Sequence, residues 1–400
     1  MSAKLILLSR MSFLVLIVSF VSACYSTHDI TFEQNVKDAE YLFKDEAFPA
    51  SKHYDIETPE SIFALSDEAK TFVDASFDIH DTQEQRMFTL MQRILDISSF
   101  DLLYRADANT PASETFENRA ANCLSLTIMT YAMARHAGLN TRFQQVDIPE
   151  FWTRREGYSL LNGHINIRMF PADYQQAGIT LFRRDYVVDF DPQDGRNNFR
   201  TRNVSKERIV AMYYNNIGAE LILDGELSKA YAYLRAALSI DAGYEGALLN
   251  LGFVYRQVQE YGHAEMAYKA ALELDEDYLT AWENLAALYE ATERVEQAND
   301  IYARLEKERR SNPYYHMMLA EVALDEQNYE DSIAHFKRAI SLDDEVHQFY
   351  SGLAQVYLNQ GNIDQTTRYL TVAKRKAGKT QMSQRYGEKL SMLANLQTRQ

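Results

Sequence analysis

A 34-residue repeat in the second half of the chain constrains the fold most strongly. Five repeats align without gaps, with starts at Ala211, Glu245, Leu279, Pro313 and His347. Position eight is small in every repeat and position twenty-four is large. The pairs are Gly218 and Leu234, Gly252 and Tyr268, Ala286 and Tyr302, Ala320 and Phe336, and Ala354 and Leu370. Small residues let two antiparallel helices approach closely, and large ones fill the space to the next pair. The sequence therefore predicts a helical solenoid.

The repeat resembles the tetratricopeptide repeat. On this resemblance residues 211–380 form five repeats, and residues 381–400 form a capping helix. The resemblance also implies a groove that holds a protein or peptide partner. The residues expected to line this groove are Asn215, Leu249, Phe253, Arg256, Glu283, Tyr314, Met317 and Gln348. They include no basic clamp for a carboxylate terminus, so the sequence does not identify the partner.

The first 23 residues have the organisation of an export signal. Lys4 and Arg10 precede an apolar run from Met11 to Val21, which is short for a membrane-spanning helix. We therefore expect residues 1–23 to be a signal peptide and residues 24–35 to be a short tether.

The residues Val21-Ser22-Ala23-Cys24 resemble the lipobox of bacterial lipoproteins. The resemblance implies cleavage before Cys24 and acylation of its sulfur, and more than one acyl chain would anchor the protein stably. Tyr25, in place of Asp, is compatible with delivery to the outer membrane. We expect a lipid-anchored protein that faces the periplasm; the alternative is an ordinary signal peptide with an incidental cysteine.

Composition and spacing exclude several classes of function. The net charge of −16 and the pI near 5.1 provide no basic stripe for nucleic acid. The His, Cys, Asp and Glu residues do not fall at the spacings of zinc or calcium sites, and no glycine-rich phosphate loop is present. We therefore expect neither a metal nor another cofactor.

The stretch from Asn122 to Gly138 predicts one buried helix with Cys123 in its first turn. The unpaired N–H groups and the dipole of a helix favour a thiolate at that position, although a cysteine is also a common small core residue. If Cys24 carries lipid, Cys123 has no partner for an intrachain disulfide.

Two predicted strands follow this helix. In residues 163–170, GHINIRMF, the polar residues His164, Asn166 and Arg168 share one face, and residues 185–191, DYVVDFD, place Asp189 and Asp191 on one face. His136 is thirteen residues from Cys123 on the same helix, roughly 20 Å away, and is excluded as its partner. A solvent-facing strand histidine is the alternative interpretation of His164.

Residues 95–195 resemble the transglutaminase-like superfamily in the order and spacing of Cys, His and Asp. The resemblance implies a papain-like α+β domain, here residues 36–205, with Cys123 as nucleophile, His164 as acid and base, and Asp189 as the residue that orients His164. Asp191 is the fallback for the third role. Three positions depart from the family, namely Ala121, Leu124 and Asn166.

The predicted fold is thus an α+β transglutaminase-like domain followed by an all-α tetratricopeptide solenoid. The predicted function is thiol-dependent acyl transfer or hydrolysis at protein or peptide amides, with partner binding by the solenoid. The alternative is a catalytically inactive scaffold or assembly lipoprotein. Residues 149–163 are expected to be an irregular loop, with Trp152 as a cleft wall or as a core or loop residue.

Overall fold

The computed structural model describes residues 38–95, 103–105, 107–155, 158–170, 185–190, 199–378 and 380–397. The predicted signal peptide, Cys24, the tether and Asp191 lie outside these ranges. The described residues all belong to one compact unit, Glu33–Gln400.

The N-terminal part combines short helices with a sheet. Three 3-10 turns, Glu40–Leu42, Asp45–Ala47 and Pro49–His53, precede the first helices. The helices are α1 (Pro59–Ile62), α2 (Asp67–Asp74), α3 (Gln83–Leu95), α4 (Ala112–Asn118) and α5 (Cys123–His136). The strands are β1 (Leu103–Tyr104), β2 (Ala120–Ala121), β3 (Asn140–Val146), β4 (Trp152–Arg155), β5 (Tyr158–Leu161), β6 (His164–Phe170), β7 (Tyr186–Val188) and β8 (Thr201–Val204).

Four of these strands form an antiparallel sheet in the order β7-β6-β3-β8. Helix α5 packs on one face, where Tyr131 stacks on Phe143 with ring centroids 4.6 Å apart. Ile165 and Ile167 lie on the same face as Phe143 and are buried with it. The opposite face carries the polar alternate residues of β6, beginning with His164.

Residues 149–163 differ from the predicted irregular loop. Strands β4 and β5 pair as a hairpin, with Trp152 opposite Leu161 and Arg155 opposite Tyr158. The hairpin leaves β3 after Val146 and returns to β6 at His164, and these two residues are themselves paired. Trp152 is buried against the repeats, and local sequence composition does not encode this contact or the pairing that accompanies it.

Residues 206–376 form five helix pairs, and α16 follows them. The helices are α6 (Lys206–Leu223), α7 (Leu227–Ile240), α8 (Glu245–Gln257), α9 (Tyr261–Leu274), α10 (Leu279–Ala291), α11 (Val295–Arg309), α12 (Pro313–Asp325), α13 (Tyr329–Leu342), α14 (His347–Asn359), α15 (Ile363–Lys376) and α16 (Gln381–Gln397). Helices α8, α10, α12 and α14 begin at the residues that open repeats two to five. We call the surface of α6, α8, α10, α12 and α14 the first-helix face.

The turn between the two helices of each repeat passes through the left-handed region at position fifteen. The residues there are Gly225, Gln259, Glu293, Gln327 and Gly361, with φ between 60° and 77°. Glycine adopts this conformation without strain, whereas the three other side chains are strained in it. The backbone of the repeat therefore sets this turn even where glycine is absent.

The N-terminal segment packs on α7, α8 and α9. Phe48 is buried and stacks on Tyr231 with ring centroids 4.4 Å apart. The Tyr231 hydroxyl donates to Asp45 at 2.8 Å, and the Tyr255 hydroxyl donates to the carbonyl of Leu42 at 2.7 Å. The chain before the sheet thus forms part of the core of the first two repeats.

Candidate functional site

Cys123 opens α5, and side-chain hydrogen bonds hold the turn before it. Asn122 caps the helix: its Oδ1 accepts from the backbone N–H of Ser125 at 2.9 Å, and its Nδ2 donates to Asn109 Oδ1 at 3.2 Å. Asn109 donates to the backbone carbonyl of Tyr213 at 3.0 Å. Cys123 is half-buried and is the free cysteine of the described chain. The thiol therefore lies at a helix tip that is capped by Asn122 and joined through Asn109 to the first repeat helix.

His164 and Asp189 are in direct contact. His164 opens β6 and is 8% exposed, and Asp189 follows β7 directly. The imidazole Nε2 lies 2.8 Å from Asp189 Oδ1 and 2.9 Å from Oδ2. A carboxylate at this distance fixes the orientation of an imidazole ring and stabilises its protonated form.

Asn166 also binds Asp189. The sequence predicted no role for Asn166, which is one of the three positions that depart from the superfamily pattern. Its Nδ2 donates to Asp189 Oδ2 at 3.1 Å. Asn166 is 4% exposed, and within the described ranges its Oδ1 is buried with no hydrogen-bond partner. The signal was present in the sequence, because Asn166 lies two residues after His164 on the same polar strand face.

The polar row continues across the sheet. Gln144 on β3 lies opposite Asn166 and opposite Asn203 of β8, and it is buried. Its Nε2 donates to Asn203 Oδ1 at 3.4 Å. Buried amides in a sheet need hydrogen-bond partners; Asp189 provides one for Asn166, and Asn203 provides one for Gln144.

The described contacts do not join Cys123 to His164. Helix α5 turns into β3 at Gly138, so the start of α5 and the paired residues Val146 and His164 belong to the same end of the helix–sheet layer. His164 is the first residue of β6 at this end, and no described hydrogen bond or ion pair joins its imidazole to the Cys123 sulfur. Among the described residues, hydrogen bonds therefore join His164, Asp189 and Asn166, and Cys123 lies at the tip of α5 without a described bond to them.

A second polar cluster lies where the hairpin meets the repeats. Glu150 Oε2 is 2.8 Å from Arg309 Nε, and Oε1 is 3.1 Å from Nη2. Thr280 donates its hydroxyl to Glu150 Oε1 at 3.0 Å, and Asn312 Nδ2 donates to the backbone carbonyl of Glu150 at 2.9 Å. Glu283 binds the remaining edge of the guanidinium at 2.9 Å.

Arg309 is 1% exposed, which is exceptional for a guanidinium. Burial alone would lower the pKa of Arg309, but the hydrogen bonds and charges of Glu150 and Glu283 raise it above its ordinary value. Trp152 and Tyr315 cover the guanidinium, at 4.9 Å and 5.6 Å from their ring centroids. Trp152 is thus buried against the repeats, and its described contacts are not those of a cleft wall beside Cys123.

The repeat pattern itself distinguishes Arg309 from the equivalent residues of the other repeats. Position thirty-one of the repeat is aspartate in three repeats, as Asp241, Asp275 and Asp343, but arginine in the third. A reversal of charge at a repeat position indicates a local partner outside the repeats. That partner is Glu150 of the hairpin.

Other hairpin residues extend the contact along the first-helix face. Arg155 Nη1 binds Glu220 of α6 at 3.1 Å, and Arg154 Nη2 binds Asp325 of α12 at 3.1 Å. The aromatic pairs are Tyr158 with Phe253, at 6.0 Å between ring centroids, and Phe151 with Tyr314, at 5.2 Å. The hairpin therefore contacts first helices of four repeats, since Thr280 on α10 completes the series.

The predicted groove lining is only partly correct. Asn215, Leu249 and Met317 are buried and do not offer side chains to a partner. Asn215 faces the neighbouring helix, where its Oδ1 accepts from Asn250 Nδ2 at 2.8 Å. Phe253 and Tyr314 do lie on the first-helix face, where the hairpin contacts them.

Within the described ranges, no group of three or more His, Cys, Asp or Glu side chains is placed to hold a metal ion. The same part of the chain contains no helix that is long and apolar enough to cross a membrane.

Comparison with known proteins identifies the repeats. Two family models, each described as a tetratricopeptide repeat, match residues 255–322 and 317–365. Residues 255–365 are tetratricopeptide repeats. The matches lie inside the predicted solenoid and confirm its repeat type.

Two curated relatives are similar to part of the chain. Superkiller protein 3 of Schizosaccharomyces pombe is 25% identical over 173 residues, which are 40% of this chain and 12% of that protein. The tetratricopeptide repeat-containing protein trd-1 of Caenorhabditis elegans is 27% identical over 79 residues, 20% of this chain and 10% of its own length. The chain thus spans about a tenth of the length of these curated relatives.

Among solved structures, the chain is similar to YrrB, titled a tetratricopeptide protein with an unusual peptide-binding site. The two share 18% identity with a TM-score of 0.25, over 45% of this chain and 92% of YrrB.

Proposed function

We propose that this protein is an interaction scaffold that holds a polypeptide partner on the first-helix face of its tetratricopeptide repeats. One observation carries the proposal: this face already binds an extended polypeptide, the β4–β5 hairpin of the same chain. The contact combines ion pairs, aromatic pairs and a hydrogen bond to a backbone carbonyl, which is the mixture that peptide recognition uses.

The scaffold function is tested by selecting peptides from a display library against the purified chain. We expect enriched peptides whose binding weakens at least about tenfold in Gln348→Arg, because the new charge lies on the first-helix face of α14. The matched control is Gln297→Arg, an exposed position on α11, a second helix. Enriched peptides that bind both variants like the wild type would contradict the assignment to this face.

A second candidate function, thiol-dependent acyl transfer, is favoured by the contacts of Asp189 with His164 and Asn166. We propose that the N-terminal part is a transglutaminase-like domain in which the Cys123 thiolate attacks an amide carbonyl carbon. A carbon–sulfur bond forms, the carbon–nitrogen bond breaks, and protonated His164 gives its proton to the departing amine. Water or a second amine then releases the thioester.

In this mechanism Asp189 holds the imidazole through Nε2, and Asn166 holds the carboxylate of Asp189. Nδ1 is then the ring nitrogen that has to meet the Cys123 sulfur. The helix tip supplies the backbone N–H of Cys123 as an oxyanion donor.

Alkylation by iodoacetamide tests the thiol function. We expect Cys123 to react about tenfold more slowly in His164→Ala than in the wild type, because an adjacent imidazolium favours the thiolate. The control is His136→Ala, at the far end of α5, where the imidazole pairs with Asp74 at 2.9 Å. Equal labelling rates in all three proteins would refute an activated Cys–His pair.

We further propose that Cys24 is acylated and anchors the protein to the bacterial outer membrane, facing the periplasm. The order of charge, apolar run and Val21-Ser22-Ala23-Cys24 supports this proposal. Radiolabelled palmitate should be incorporated into the wild type and not into Cys24→Ala. Labelling that persists in the variant would exclude Cys24 as the acylated residue.

A further inference from the structure

Three consecutive residues of the hairpin segment, from Glu150 to Trp152, reach the junction between α11 and α12, and each has its own partner there. The Glu150 carboxylate makes two bonds to Arg309. The Phe151 ring meets Tyr314 edge to face. The next ring, Trp152, meets Tyr315 at 6.2 Å between centroids, also edge to face. This acidic-aromatic-aromatic stretch is held more densely than the rest of the hairpin.

The repeats supply three hydrogen-bond donors that bind one acidic residue, two through its carboxylate and one through its backbone carbonyl. Arg309 and Thr280 donate to the Glu150 carboxylate, and Asn312 donates to its backbone carbonyl. Without the hairpin, Arg309 would keep a single carboxylate, that of Glu283, which is itself 42% exposed. A buried guanidinium needs its hydrogen bonds completed, so this site requires an acidic occupant.

We infer that Thr280, Arg309, Asn312, Tyr314 and Tyr315 form an anchor site for a partner segment in which an acidic residue precedes two aromatic residues. The β4–β5 hairpin occupies this anchor site in the chain alone, and a partner segment of the same chemistry takes it by displacing the hairpin. The inference rests on the proposed scaffold function and specifies the class of partner.

The surroundings of the anchor site suit an exchange of occupants. A depression of about 340 Å³ lies beside the ion pair and is lined by residues of α10, the end of α11, the start of α12 and the hairpin, including Leu279, Glu308 and Pro149. The hairpin is tethered, so it competes at a high effective concentration. A free segment therefore binds the wild type more weakly than it binds a chain whose hairpin cannot dock.

The test uses a fluorescent peptide of residues 149–161, PEFWTRREGYSLL, and the purified full chain. We expect the peptide to bind the variant Glu150→Gln/Trp152→Ala at least about tenfold more tightly than the wild type, because the anchor site is then vacated while its lining is unchanged. The same peptide with Gln in place of its Glu should lose about tenfold in affinity for that variant. Fluorescence anisotropy measures both.

Equal affinity for the two proteins, equal affinity of the two peptides, or no binding to a folded variant would overturn the inference. If the double variant lacks the cooperative unfolding transition of the wild type, Trp152→Leu replaces it in the same comparison, since it keeps the Glu150 ion pair. Library peptides that depend on Gln348 while this peptide fails would refute the anchor site alone. Binding of this peptide without such library peptides would instead count against the wider scaffold function.

Discussion

The solenoid and the sheet bury their residues in different ways. In the repeats, a small residue of one helix meets a large residue of its partner within the same 34 residues; a Cβ on Gly252 would lie 2.5 Å from Tyr268 Cε1. In the sheet, buried contacts join distant residues, as in the 25-residue separation of His164 and Asp189. The repeats bury mainly apolar groups, whereas one face of the sheet buries a polar row.

This difference explains why the polar candidate site lies on the sheet and not within the repeats. Local small–large pairs stabilise each repeat and its neighbour without needing buried polar groups. The sheet holds imidazole, carboxylate and amide groups in fixed positions through strand register. Arg309 is the exception among the charged side chains of the described repeats, because it is buried, and it occurs where the hairpin of the N-terminal part meets them.

The largest effect should come from removing that exception. Arg309→Ala leaves Glu150 and Glu283 without their cation, and we expect a loss of about 3–5 kcal/mol in the free energy of unfolding. Denaturation by guanidinium chloride measures this change in the free energy of unfolding. Arg304→Ala is the control on the same helix, because Arg304 is 42% exposed and its loss should change stability by less than about 0.5 kcal/mol. Similar effects of the two substitutions would mean that the hairpin contact adds little to the repeats.

A smaller effect should follow from overfilling a repeat. Gly252→Ala places a methyl group against Tyr268 and should destabilise the protein by about 1–3 kcal/mol. Gly262→Ala is the matched control, because a Cβ there meets no atom within 4 Å; it should stabilise helix α9 by about 0.5–1 kcal/mol. Thermal unfolding distinguishes the two signs, and stabilisation by both would contradict the close packing of repeat two.

A pH dependence should arise where the hairpin meets α12. Burial raises the pKa of Glu321 to about 7, against the opposing charge of Arg154 and with the support of Asp325. The unfolded chain ionises this carboxyl near its ordinary pKa of 4.5, so stability falls as the pH rises from about 4.5 to 7.

Glu321→Gln removes this dependence. Relative to the wild type, the variant should gain about 1–2 kcal/mol in the free energy of unfolding between pH 5 and pH 8. The exposed Glu326→Gln serves as the control on the adjoining turn. An unchanged difference between Glu321→Gln and the wild type across this range would exclude the burial of an ionisable Glu321.

The smallest effect concerns position fifteen of the repeat. Gln259 has a φ of 62°, so Gln259→Gly should stabilise the protein by up to about 1 kcal/mol through relief of strain. Gly225→Ala, at the same position of the first repeat, should destabilise it by about 1 kcal/mol. Urea denaturation of both variants tests whether the turn geometry is common to the repeats.

The helix pairs could be predicted from the sequence because each small–large contact lies within one 34-residue repeat. The positions of Gly252 and Tyr268 predicted the helix pair, and the family comparison confirmed tetratricopeptide repeats. Position fifteen was not predicted, because Gln259 and Glu293 do not favour a left-handed turn in isolation.

The candidate site was harder to predict from the sequence, because it depends on pairing between strands that are distant along the chain. Alternation predicted two strands with polar faces, and the resemblance to the transglutaminase-like superfamily implied that Asp189 orients His164. The two side chains are in contact in the structure, and their catalytic role stays a prediction. The roles of Asn166 and of the hairpin required the register and the docking of residues 149–161, which no local pattern encodes.

The pairing of Val146 with His164 has a consequence for any release of the hairpin. This pair closes the excursion at its base, and the ladder between β3 and β6 continues from there to Phe170. Residues 149–155 and 158–163 can therefore move away from the repeats together, while β3 and β6 keep the hydrogen bonds of their ladder and Asp147 keeps its bond to Arg200.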